Sequence, residues 1–111
     1  MDESYGGSAD VIMVPAPRGG VRRGDLIVIG KLCGVAVTAA EEGEEVEVLS
    51  QGCFDLPKDR SKLSLGDPAH WDAAARKITA AAPERPRVGV AVGDAPETAE
   101  IVRVRLDGVI F

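Results

Sequence analysis

Few side chains in this sequence have chemistry to offer: Cys33, Cys53 and His70, the serines Ser4, Ser8, Ser50, Ser61 and Ser64, the turn "RGGVRRGD", and an acidic knot of Glu41, Glu42, Glu44, Glu45 and Glu47. A zinc site takes four well-spaced ligands, or three plus water. Two isolated cysteines and one distant histidine do not supply that pattern. A hydrolase triad would place its serine on a Gly-x-Ser-x-Gly elbow, and no serine here has that context. The "RGGVRRGD" turn is flanked by strand-like runs and opens no helix, so its amides do not converge on a phosphate. No Gly-x-x-x-x-Gly-Lys-Ser/Thr loop is present either. A calcium loop alternates Asp and Asn oxygens around a fixed glycine. Glutamates crowded on Gly43 read instead as a solvated hairpin tip that discourages edge-to-edge association. No catalytic, cofactor-binding or metal-ligating residue is assigned, no cofactor is expected, and the chain is expected not to be an enzyme.

The composition agrees with a binding or structural role. The 111 residues suit one domain, and the net charge is −5. The 13 basic residues are dispersed and are not interleaved with aromatics, so no direct nucleic-acid contact is expected. Apolar runs such as Leu26–Ile29 are too short to span a bilayer, so no membrane association is expected. The opening "MDESYGGSAD" lacks the apolar core of a signal peptide, which implies synthesis in the cytoplasm.

The elements announce themselves through a repeat. "GVAVTAAEEGEEVEVLSQGCF" starts at Gly34, and "GVAVGDAPETAEIVRVRLDGVIF" starts at Gly89. Each opens on Gly-Val-Ala-Val, crosses a polar middle and climbs through alternating valines, the period of a half-buried strand. Gly24-Asp25 precedes the first copy and Gly66-Asp67 the second, with a longer gap in the second. The expected fold is all-β: a small barrel or sandwich of two related hairpin units, the second carrying an insert. Residues 1–9 read as a flexible N-terminal arm and 10–111 as a single β-rich domain. In the first hairpin Val35 and Val37 are expected to face with Val46 and Val48. In the last, Val88, Val90 and Val92 are expected to face with Val102, Val104 and Leu106 while Arg103 and Arg105 point out. That parity separates Cys33 from Cys53, so free thiols are expected. The insert around "HWDAAARKITAAAPERP" suits strand–turn–strand, with one short helix near 72–82 as the alternative.

In order and spacing, "APRGGVRRGDLIVIGKLCGVAV", "GEEVEVLSQGCFDLPK", "LGDPAHWDAAARKIT" and "VRVRLDGVIF" resemble the capsid cement, or head-decoration, proteins of phages and prophages. The resemblance covers roughly residues 11–111. It implies a compact β-rich structural protein of the virion. Such a protein assembles as a homotrimer and attaches to the outside of a filled head, with the major capsid protein as partner. It also favours the strand–turn–strand reading of Trp71–Thr79. Some relatives carry a recombinase-like label, which the missing nucleotide-binding loop contradicts. The alternative function is a virion-associated ligand- or receptor-binding β module without catalysis. Candidate oligomer or capsid contacts are Tyr5, Trp71, Val109 and Phe111. Val109, Ile110 and Phe111 form an apolar run of which strand alternation can bury only one parity in the protomer core.

Overall fold

A computed structural model describes residues 11–80 and 82–107. Nine strands follow one another: β1 Val11–Pro15, β2 Leu26–Ile29, β3 Leu32–Ala36, β4 Glu45–Leu49, β5 Gly52–Pro57, β6 Pro68–Asp72, β7 Lys77–Thr79, β8 Arg87–Ala91 and β9 Ile101–Leu106. They form a four-stranded sheet, β1-β4-β3-β2, and a five-stranded sheet, β5-β9-β8-β6-β7. Strand pairing within both sheets is antiparallel. No helix occurs among the described residues, and the fold is all-β.

The two sheets are two copies of one unit. β1-β4-β3-β2 maps onto β5-β9-β8-β6, and β7 is the insert. Hydrogen bonds repeat with the topology. Gly24 N–H donates to the Ala36 carbonyl, Ala36 N–H to that of Asp25, and Arg22 N–H to the Asp25 carboxylate. Gly66, Ala91, Asp67 and Ser64 make the same set in the second copy. Gly24 (φ 91°) and Gly66 (φ 93°) both sit in the left-handed region that glycine tolerates. The Gly-Asp pair is therefore a turn device: the glycine reverses the chain and the aspartate ties its own backbone.

Each unit has its own inward face. In the first, Val14, Ala16, Val21, Ile27, Ala36, Val46 and Val48 pack together. In the second, Leu56, Leu63, Ala69, Ala91, Val102, Val104 and Leu106 occupy that face, joined by Trp71 and Ile78. Leu26, Cys33 and Val35 from the first sheet and Val88 from the second belong to this larger cluster, so the units share one core where they meet.

That junction corrects the expected facing of the valines. Val35 pairs with Leu49, while Ala36 pairs with Val48. Likewise Val90 pairs with Arg105, while Gly89 and Ala91 pair with Leu106 and Val104. The small residues of Gly-Val-Ala-Val thus face into each unit, and the leading valine faces away. The physical reason is room. A Cβ at Gly34 would lie 2.8 Å from the Leu49 carbonyl oxygen and 3.0 Å from Val48 Cγ1. At Gly89 it would lie 2.8 Å from Val104 Cγ1 and press still harder on the Arg105 carbonyl. Cys33 and Cys53 form no disulfide with each other, Cys33 being buried and Cys53 exposed.

Candidate docking surface

The insert makes the two units different. The Asp72 carboxylate accepts from the amides of Ala74 and Ala75, which turns the chain after β6. β7 then returns alongside, pairing Trp71 with Ile78. Its far side reaches β5: Asp59 N–H donates to the Ile78 carbonyl, and Lys58 and Ile78 form a parallel bridge. The two outer strands of the second sheet therefore meet. Ile78 is fully buried beneath this closure, and Trp71 is 7% exposed.

A polar knot locks the closure. Lys58 is 3% exposed, and its ammonium donates to the carbonyls of Asp59 (2.7 Å), Ala99 (2.9 Å) and Pro96 (3.0 Å). Three donors meet three acceptors, which offsets the cost of burying the charge. Asp59 accepts from the Ser61 amide and hydroxyl, and Ser61 Oγ in turn accepts from Ala80 N–H. Burial pushes the Asp59 carboxyl up. Hydrogen bonds from Ser61 and Thr79 and the Lys58 charge together outweigh it, and the pKa falls below its ordinary value. A cleft of about 500 Å³ opens beside the knot, lined by Arg60, Lys77, Glu97 and Glu100 among others. Its Lys58 and Asp59 are already committed to backbone and to Ser61, so its most buried polar atoms hold the fold.

Among the described residues the first unit has no such closure. β2 joins β3 directly through Gly30 and Lys31, with no intervening strand. Among the described residues β1 pairs only with β4 and β2 only with β3. Ile12, Val14, Ile27, Ile29, Leu32 and Val48 line a shallow apolar groove of about 10 Å³ between them. At its mouth Ile29 is 40% and Leu32 37% exposed. β2 itself is Leu-Ile-Val-Ile, with neither a charge nor a proline on the strand. Edge strands usually carry such features because a bare aliphatic edge is a template for pairing.

Of the residues singled out from sequence, Trp71 lies in the core of the second unit. Tyr5, Val109 and Phe111 lie outside the described residues, as does the 1–9 arm. Sequence reasoning missed the open β2 edge and the buried Lys58. The signal for the edge was present: aligning the two copies shows which strand the first one lacks.

Most motifs behind the resemblance map to this architecture. Phe-x-Leu-Pro-Lys is β5 and its knot, Trp-Asp with Lys-x-Thr is the β6–β7 closure, and Arg-x-Arg-Leu closes β9 just before Asp107. A search of curated proteins gave no match. The family pattern for phage cement protein matches residues 7–106, nearly the whole chain, and the chain belongs to that family. It is thereby a member of a family of structural phage proteins associated with the capsid.

Proposed function

We propose that this protein binds the outer surface of a phage head through the major capsid protein and stabilises the shell, acting as a trimer without enzymatic activity. It would be made in the host cytoplasm, from a phage or prophage genome, and end on the capsid exterior. Family membership over residues 7–106 carries this reading. The structure adds a physical reason: the buried Lys58 ties loops of the second unit together, while an apolar strand edge and the acidic tip lie at the surface. A cement needs rigidity and docking edges rather than a reactive constellation. A receptor-binding module would present aromatics in a loop, and Trp71 is buried instead, which favours the cement reading. Tyr5, Val109 and Phe111 remain the proposed contacts. The test is co-sedimentation of purified protein with undecorated heads: stoichiometric, saturable binding supports the proposal, and protein left in the supernatant at all concentrations refutes it.

A further inference from the structure

In the second unit the outer edge of β6 is occupied by β7, which buries Ile78 completely. The matching edge in the first unit is that of β2. It is aliphatic from Leu26 to Ile29, unpaired among the described residues, and bordered by the groove of Ile12, Ile29 and Leu32. Among the described residues the same backbone thus shows an edge once filled and once unpaired, and the filled copy defines the occupant: a short antiparallel strand that presents a branched aliphatic side chain.

This chain carries two stretches beyond the described core that could supply a strand. "MDESYGGSAD" is polar and glycine-bearing and offers no aliphatic run. "VIF", at Val109, Ile110 and Phe111, is three apolar residues in succession. Resting on the trimer reading above, we propose that Val109–Phe111 of a second copy adds to the β2 edge as β7 adds to β6. Tail and edge are different patches, so the contact is heterologous, and three copies related by rotation close it into a ring. A β2-to-β2 contact would instead be two-fold and stop at a dimer.

Two variants test this. Ile29→Lys places a charge at the mouth of the edge, on a residue already 40% exposed. Phe111→Asp with Ile110→Asp spoils the tail and leaves β2 intact. Light scattering after size exclusion should show a three-chain wild type and one-chain variants, with the β circular dichroism spectrum unchanged. Mixed in equal amounts, the variants should form a two-chain species, because the intact tail of one fits the intact edge of the other. A trimer that survives the tail substitutions overturns the inference while leaving the trimer reading in place. So does a mixture in which both variants stay monomeric, the result expected if each tail covers its own chain. A wild type that is already monomeric overturns both.

Discussion

At the residue scale, the two glycines of Gly-Val-Ala-Val are sensitive positions, because each lies against the carbonyl of the facing strand. Gly34→Ala and Gly89→Ala should both destabilise, by about 1–3 kcal/mol for an overpacked core position. Gly89→Ala should be the worse of the pair, since its Cβ would meet backbone more closely. Urea denaturation of the two variants measures the order directly. Asp59 gives a pH signature. Its folded pKa lies below the ordinary 3.8, so its contribution is complete above that value and is lost as pH falls through the folded pKa. The melting temperature should therefore drop below about pH 4, and Asp59→Asn should flatten that acid limb. An acid limb identical in the two proteins would assign the loss to other carboxylates. Asp55 adds in the same direction, lowered by its hydrogen bond from Arg103. Sequence alone could not locate either effect. Charge was visible in it, but Lys58 and Asp59 read as ordinary linker residues until the loops around them closed.

The elements were the most legible part. Alternating valines and repeated Gly-Asp turns identify strands, their pairing into units and the insert, because period and turn chemistry are local properties. Facing was less legible. The first two valines of each Gly-Val-Ala-Val stand on opposite parity from the glycine and alanine, and only the crowded facing strand decides which parity turns inward. The insert reads as strand–turn–strand, with a short helix near 72–82 as the alternative that its alanines leave open. The chain does turn on Asp72, because Trp71 and Ile78 must both reach the core. That requirement yields a prediction at this scale. Ile78→Ala removes the side chain beneath the closure and should cost about 2–5 kcal/mol, measured by thermal or urea unfolding. A loss below 1 kcal/mol would mean that β7 does not seal the second unit.

For the whole molecule, the two units share a strand order and differ by β7. The second unit carries β7 and the buried Lys58, and its outer strands meet. Among the described residues the first unit leaves the aliphatic β2 edge unpaired, which a solitary protein would be expected to protect. A domain of this size has a limited core, and an interface with neighbours is the natural second source of burial. Under the proposed function this burial happens on a phage head and strengthens it. The most direct measurement is the temperature at which filled heads lose their DNA, with and without saturating protein. The account predicts that decorated heads release DNA at a distinctly higher temperature, in proportion to occupancy, and that the gain disappears with Ile29→Lys. Heads that bind the protein to saturation yet release DNA at an unchanged temperature would contradict it.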